Sequence, residues 1–191
     1  MGVEASLTGH LVFSTLHTNS APESITRLLD MGMDPFNFAD ALLGILAQRL
    51  AKKLCDCKES YVPDNKELRL FLAEYSEELK HSTDWKADYE GESQKLFERW
   101  HQLYAQDSQL RFYRHVGCDK CNKTGYKGRV GLHELLIATD DIKKLIQERA
   151  RVAEIFTAAV EGGMRTLKMD GMEKVMMGLT DLKMVRLVCI K

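Results

Sequence analysis

The 191-residue sequence predicts an α/β fold: a short strand and two helices first, then a helical insertion, then a run of C-terminal helices. Three observations predict this class. The run LVFSTL (11–16) is mostly apolar and polar HTNS follows it, as expected of a buried strand. Apolar residues recur at helical spacing through the second half of the chain. A hydrophobic share of 45% is sufficient for a packed core.

Two histidines flank the predicted strand. His10 precedes and His17 follows residues 11–16, so a strand there would place both imidazoles near one edge of a sheet. Ligands of α/β sheets bind at strand ends of this kind. The nearby hydroxyls of Thr15 and Thr18 can contact phosphate oxygens or position a water together with the imidazoles. A histidine beside a strand is also common as a hydrogen-bonded rim residue, and this alternative stays open.

Two helices and a second strand are expected next. Ser20 is a favoured N-cap residue, Pro22 suits the first helical turn, and Gly32 ends the helix. Pro35 allows a second helix to start. Residues 36–55 are apolar in their first half and basic later, which favours a helix followed by a strand.

Residues 58–117 differ in composition because they are rich in acids and aromatics and contain both tryptophans. Apolar stripes near 66–80 and 93–104 predict a helical hairpin whose stripes must be buried. The run VGLHELLIA (130–138) predicts a strand. The remainder predicts helices, the first of them capped by Asp140.

Charge and targeting signals limit the classes of function. The net charge is −1, with 27 basic and 28 acidic residues, so no global field draws the chain to nucleic acid or to an anionic membrane. The sequence has no secretory signal pattern and no stretch of about 18 apolar residues. We therefore expect a cytoplasmic protein, whose reducing compartment makes structural disulfides improbable.

Four of the five cysteines lie in two close pairs, which indicates metal binding. Four thiolates from two short loops suit a tetrahedral structural zinc site. The first pair is spaced Cys-x-Cys, which is closer than the usual two-residue gap between zinc ligands. This spacing leaves open that His115 replaces one thiol as a ligand or that one thiol is unused. Four reduced cysteines without metal are the other interpretation, and Cys189 is expected to be a small core residue. The candidate ligands are Cys55, Cys57, Cys118 and Cys121.

The chain does not contain a complete nucleotide site. It has no G-x-x-x-x-G-K-[ST] motif and no apolar strand ending in acids that could hold Mg²⁺. Any nucleotide chemistry would need these parts from elsewhere.

Four segments resemble one family in their order along the chain. TGHLVFSTLHTNSAPESITRLLDMG (8–32) resembles the histidine box of the type II secretion and type IV pilus assembly ATPases. AQRLAKKLC (47–55), GCDKCNKTGYKGRVGLHELL (117–136) and GMRTLKMDGMEKVMMGLTDLKMVRLV (163–188) resemble later landmarks of that family, including its tetracysteine zinc element. In this family the phosphate-binding loop and the acidic motifs lie upstream of the histidine box. The resemblance implies a C-terminal portion that starts just past them.

The resemblance also implies an architecture. It consists of a partial, truncated RecA-like core with a zinc-binding tetracysteine element, a helical insertion and a C-terminal helical bundle. The expected segments are 1–54 for the core, 55–129 for the zinc element with its insertion at about 58–117, and 130–191 for the returning strand and helical subdomain. The insertion is longer than is usual for the family.

The implied activity is ATP hydrolysis by a hexamer that powers type II secretion or type IV pilus assembly. The intact protein would use ATP and Mg²⁺ and would bind a structural Zn²⁺. The implied partners are neighbouring subunits and an inner-membrane platform protein, at the cytoplasmic face of that membrane. We expect the isolated chain to be inactive. The implied site residues are His17 and His10 for catalysis, Thr15 and Arg129 for nucleotide binding, and Arg27, Gln48 and Arg49 for interface or core support.

Two other classes of function stay open at this stage. Basic residues around Tyr126 would suit a zinc ribbon that binds nucleic acid, although the near-zero net charge argues against it. A protein-docking module is the third possibility. The basic residues in question are Lys120, Lys123, Lys127 and Arg129.

Overall fold

The computed structural model describes residues 2–189, so Met1, Ile190 and Lys191, at the ends of the predicted first and last segments, lie outside the described residues. Within that range the fold is mixed α/β, with ten helices and two small sheets. The chain divides into two compact units, Met1–Ala47 with Glu134–Met164 and Gln48–His133 with Arg165–Lys191. In residues 2–189 no helix has the length and hydropathy that crossing a membrane requires.

The helices and strands have the following bounds. In chain order they are α1 (Gly2–Leu7), α2 (Ala21–Asp30), α3 (Pro35–Ala41), β1 (Gly44–Leu54), β2 (Glu59–Tyr61), α4 (Asn65–Ser76), α5 (Thr83–Ala87), α6 (Tyr89–Tyr104), β3 (Phe112–Arg114), β4 (Tyr126–Ile137), α7 (Asp140–Gln147), α8 (Val152–Glu161), α9 (Leu167–Met176) and α10 (Leu182–Val188). One sheet pairs β1 with β4, and the other pairs β2 with β3 in antiparallel register. The predicted helix and strand over 36–55 and the strand over 130–138 are confirmed by α3, β1 and β4.

The predicted strand over 11–16 is wrong. Residues 10–18 have no regular secondary structure, and residues 10–17 are exposed, with Phe13 at 88% and Leu11 at 69%. An extended segment becomes a strand only when a neighbouring strand satisfies its backbone N–H and C=O groups. Within residues 2–189 no strand pairs with this segment, so its apolar pattern is not sufficient to form one.

In the first unit, α2 and α3 pack on α8 and α7. Helix α2 starts as predicted at Ser20, whose Oγ accepts a hydrogen bond from the Glu23 N–H at 3.4 Å. Its apolar face buries Ile25 completely. Helix α7 is capped by Thr139 rather than by Asp140, which lies in the first turn. Threonine occupies the cap because its Oγ1 accepts from the Ile142 N–H, while Asp140 adds negative charge near the helix N-terminus.

In the second unit, the insertion helices pack on α9. The predicted hairpin is confirmed by α4 and α6, which contact each other and enclose an edge-to-face pair between Phe71 and Trp100, with ring centroids 5.5 Å apart. Helix α9 contributes methionines to the same core, among them the fully buried Met172. The apolar stripes of the insertion therefore face α9 and α10. The buried members of this cluster are Phe71, Tyr75, Trp100, Leu110, Phe112, Met169, Met172, Val175, Met176 and Val185.

Candidate metal centre and histidine segment

The four candidate cysteines converge on one point. Their Sγ atoms all lie within 4.8 Å of one another. The Sγ–Sγ distances are 3.9 Å for Cys55–Cys118, 3.9 Å for Cys57–Cys121 and 3.8 Å for Cys118–Cys121. All four are free thiols, so the cluster contains no disulfide. Cys189, half-buried, packs against the apolar clusters of the second unit, in agreement with the prediction of a core residue.

Local backbone structure brings the two pairs together. Cys55 follows the end of β1, where its N–H donates to the Gly125 carbonyl at 2.9 Å. The second pair brackets a 3-10 turn, Asp119–Cys121, and the chain then turns through Asn122 in the left-handed region at φ 51°. Gly125 has φ 78°, and a Cβ there would lie 2.6 Å from the Cβ of His115, so the turn requires glycine. The glycines beside the second pair therefore have a steric role.

Backbone amides turn toward the sulfur of Cys121. The N–H groups of Cys118 and Gly125 both donate to its Sγ at 3.2 Å. These bonds outweigh burial and lower the pKa of Cys121 to about 6. For Cys57 the Gly117 amide acts in the same direction, but burial and the surrounding cysteines raise its pKa to about 11. The amide hydrogen bonds therefore favour the thiolate form of Cys121 at neutral pH.

The arrangement fits a tetrahedral metal ion. With metal–sulfur bonds of about 2.3 Å, a tetrahedron of four thiolates has edges of about 3.8 Å. Three of the six Sγ–Sγ distances, at 3.8 and 3.9 Å, match that edge, and all six are within 4.8 Å. The Cys-x-Cys spacing is thus compatible with ligation by both of its thiols. Hence this group of four cysteines could hold a metal ion.

His115 does not belong to the cysteine cluster. Its ring stacks on Tyr126 at 5.1 Å, and its Nδ1 lies 3.3 Å from Asp181 Oδ2. The Tyr126 hydroxyl donates to the same carboxylate oxygen at 2.5 Å. The alternative in which His115 replaces a thiol is therefore not supported. Instead His115 and Tyr126 contact the residue that caps α10.

The two predicted histidines lie in an exposed segment of the first unit. The ring Nδ1 of His10 lies 3.2 Å from Thr8 Oγ1 and 3.2 Å from the Ala5 carbonyl, which places it against the end of α1. His17 is exposed, and its carbonyl accepts a 2.7 Å hydrogen bond from Arg27 Nη1. Thr15 is also exposed. The structure thus brings His17 and Arg27 together, but no strand edge joins His10 to His17.

Three further predicted residues lie in the second unit. Gln48 is exposed on β1, and its Nε2 lies beside Gly131 of β4, where it is 3.3 Å from the position of an added Cβ. Arg49, the next residue on β1, is half-buried. Arg129 is exposed on β4.

Three buried carboxylates were missed by sequence reasoning: Asp181, described above, Glu134 and Glu173. Glu134 is 3% exposed, and its Oε1 accepts from the Ala21 N–H at 2.7 Å, which fixes the start of α2 directly after the histidine segment. Its signal was the alternation of β4, which places Glu134 on the same face as Leu132 and Leu136. Glu173 is 6% exposed on α9 and has no comparable signal, since it looks like any charged residue of an amphipathic helix.

Comparison with known proteins decides the family. The model of a family described as "Type II/IV secretion system protein" matches residues 1–187. The chain belongs to this family. The Type IV pilus assembly ATPase PilB of Thermus thermophilus is 40% identical over 187 residues, which cover 97% of this chain and 18% of that protein.

Other relatives include ATPases of type II secretion and of type IV pilus assembly. The Type II secretion system ATPase E of Vibrio cholerae is 39% identical over 186 residues, covering 97% of this chain and 31% of that protein. The Type IV pilus assembly ATPase TfpB of Acinetobacter baylyi is 38% identical over 186 residues, covering 97% and 27%. This chain therefore spans between 18% and 31% of the length of these relatives. The resemblance inferred from the four sequence segments is confirmed.

Proposed function

We propose that this chain is the C-terminal portion of a hexameric ATPase that powers type II secretion or type IV pilus assembly. It contributes a histidine segment near the nucleotide and a zinc-clamped element, while the phosphate-binding loop and the Mg²⁺-holding acids belong to the rest of the protein. ATP hydrolysis then drives movements of rigid blocks that act on an inner-membrane platform protein. The observation that carries this proposal is the 38–40% identity to named ATPases of both systems over 97% of the chain.

In this proposal the site residues have separate roles. His17 faces the γ-phosphate and reports the nucleotide state, and His10 supports the same segment. Arg27 supports the proposal because its bond to the His17 carbonyl fixes the backbone that carries the imidazole. Thr15 and Arg129 contact the nucleotide. Gln48 and Arg49 support the core or the subunit interface.

The metal in the proposed element is zinc. A closed set of four thiolates suits Zn²⁺, which has no geometric preference of its own and is stable in tetrahedral sulfur sites. Bound there, it would supply structural cross-linking between the end of β1 and the start of β4, and no redox or Lewis-acid chemistry. The N–H donors to Cys121 would stabilise the ligand charge. The partial RecA-like core, the C-terminal helical bundle and the three segments 1–54, 55–129 and 130–191 belong to the same proposal.

The test compares the chain with a longer polypeptide. The chain alone should show no ATP turnover, whereas a polypeptide that also carries the upstream phosphate-binding loop and acidic motifs should hydrolyse ATP. In that longer protein His17→Ala should reduce kcat by about tenfold or more, since charge stabilisation and proton positioning contribute at least that much. His81→Ala, at an exposed histidine of the insertion, is the matched control. Full activity of His17→Ala would show that His17 has only a structural role. ATP turnover by the chain alone would contradict the proposal that the phosphate-binding loop and acidic motifs lie in the rest of the protein.

A further inference from the structure

Glu134 is a buried carboxylate that the proposed function does not use. It lies on β4 with 3% of its surface exposed, and its Oε1 accepts a hydrogen bond from the Ala21 N–H at 2.7 Å. Ala21 is the first residue of α2 and is completely buried. The bond joins residues 113 positions apart, at the point where the histidine segment (residues 10–18) leads into α2. Because removing a carboxylate from water is costly, its burial here depends on the contacts that it makes.

The first turn of α2 shows what this carboxylate supplies. The first amides of a helix have no carbonyl partner inside the helix and carry partial positive charge. Pro22 has no N–H, and the Glu23 N–H donates to Ser20 Oγ at 3.4 Å. The remaining amide of residues 21–23 belongs to Ala21, and it donates to Glu134. The shorter of these two capping bonds therefore comes from a distant strand, not from the local cap.

Helix α2 in turn holds the end of the histidine segment. Arg27 Nη1 donates to the His17 carbonyl at 2.7 Å. The hydroxyls of Thr18 and Ser24 lie 2.6 Å apart. Residues 10–17 are exposed, and within residues 2–189 no strand pairs with them. The position of the His17 backbone therefore follows the position of α2.

We infer that Glu134 is a positioning residue for His17: by fixing the first amide of α2 to β4, it sets where the His17 backbone lies and how far the imidazole reaches toward the phosphate. The inference rests on the proposed role of His17. Glu134 is not a catalytic residue, since it is buried and contacts a helix amide instead of a reacting group. An apolar side chain of similar size could fill the same space, but it would take this acceptor away from the buried Ala21 N–H. The site therefore requires a side chain with an acceptor oxygen.

The first experiment measures the positioning in the 191-residue chain without nucleotide. Glu134→Ala removes the acceptor, whereas Glu134→Gln keeps a neutral one. Hydrogen exchange of the Ala21 amide should be about tenfold faster in Glu134→Ala and about two- to fivefold faster in Glu134→Gln, which decides the question if the alanine variant does not fold. The amide nitrogen shift of Thr18 reports the hydrogen bond that the preceding His17 carbonyl accepts, so it should change in the same order. An unchanged Thr18 shift in these variants would mean that the inference is wrong.

The second experiment measures the consequence in the longer polypeptide that carries the upstream motifs. Glu134→Ala should lower kcat by about three- to tenfold and leave the KM for ATP unchanged, because a misplaced imidazole affects the transition state more than substrate binding. Combined with His17→Ala, it should cause no further loss, since no imidazole is left to position. Glu134→Gln should recover most of the activity. If Glu134→Ala causes the same loss with and without the His17 imidazole, it acts on the fold in general and the inference is wrong.

Glu23→Gln is the matched control. Glu23 is exposed in the first turn of α2, so this variant removes one negative charge from the same helix end and leaves the acceptor of Ala21 in place. It should change neither the Thr18 shift nor kcat. If it lowers kcat as Glu134→Ala does, charge at the helix end is responsible instead of the bond, and the inference is wrong.

Failure of the proposed function would give a different result. His17→Ala would then keep full activity in the longer polypeptide, while the Ala21 exchange and the Thr18 shift in the 191-residue chain would still respond to Glu134→Ala. That result would overturn the catalytic consequence and leave the structural link from Glu134 to the His17 backbone confirmed. Failure of the inference alone would leave His17→Ala impaired and Glu134→Ala fully active.

Discussion

Glu173→Gln is expected to loosen the attachment of the insertion to α9. The carboxylate is buried, with 8% of its side chain exposed, and it accepts hydrogen bonds from Tyr75, Tyr104 and Arg165 at 2.8, 2.9 and 3.0 Å. Burial and the nearby carboxylate raise the pKa of Tyr104 to about 12, so this tyrosine remains a donor at neutral pH. The substitution keeps the size of the side chain and removes its charge.

The magnitude follows from the three bonds. Hydrogen bonds to a charged group contribute about 1.5–3 kcal/mol each, against about 0.5–1.5 kcal/mol for neutral pairs, so each tyrosine bond should lose about 1 kcal/mol. The Arg165 side chain is 39% exposed, and solvent screening limits its share to a few tenths of that amount. The total destabilisation should be about 2 kcal/mol, reduced slightly because glutamine is easier to bury.

Two tyrosine variants provide an internal ordering. Glu173 Oε1 accepts from Tyr75, while Oε2 accepts from both Tyr104 and Arg165. Tyr75→Phe therefore leaves one carboxylate oxygen without its tyrosine donor and should cost about 1–3 kcal/mol, whereas Tyr104→Phe leaves Arg165 in place and should cost about 0.5–1.5 kcal/mol. The structure thus predicts that Tyr75→Phe is the more damaging change.

Urea unfolding followed by tryptophan fluorescence measures these differences, because both tryptophans lie in the second unit and Trp100 contacts Tyr75 directly. Excess zinc should be present throughout, so that metal loss does not mix with unfolding. A Glu173→Gln variant within 0.5 kcal/mol of the unmodified chain, or Tyr104→Phe more damaging than Tyr75→Phe, would refute the assigned network.

Two further predictions concern the metal element and the C-terminal helix. Cys57→Ser should abolish stoichiometric zinc in metal analysis and lower the Tm, while Cys189→Ser, outside the cluster, should retain about one equivalent; equal zinc in both variants would contradict four-thiol ligation. Hydrogen bonding from Arg186 lowers the pKa of Glu74 below its usual value of 4.5. The ionised Glu74 carboxylate therefore stabilises the fold above pH 4.5, and this stabilisation is lost as the pH falls through the lowered pKa. Urea titrations should show that Glu74→Gln lowers the free energy of unfolding by about 1 kcal/mol between about pH 5 and 7. This difference should shrink below about pH 4. A difference that grows on acidification would contradict the role of the Glu74 carboxylate.

Local sequence signals were sufficient for most helices and for the candidate metal ligands. Ser20 and Pro35 mark helix starts because capping and proline geometry depend on only a few neighbouring residues. The apolar stripes near 66–80 and 93–104 predict helices because their period is set by the helix itself. The four cysteines could be recognised as a set because thiols in two close pairs are a common pattern of metal ligands.

Tertiary structure decided what depends on distant partners. Residues 11–16 have the composition of a strand, yet pairing is non-local and no strand within residues 2–189 satisfies their backbone. The convergence of Tyr75 and Tyr104 on Glu173 joins residues separated by 98 and 69 positions, which no local pattern encodes. In this protein the sequence alone determined most of the predicted helix starts, the set of four clustered cysteines and the family, since each depends on residue type at short spacing. Which faces are buried and which carboxylates are paired were decided only by packing between distant segments.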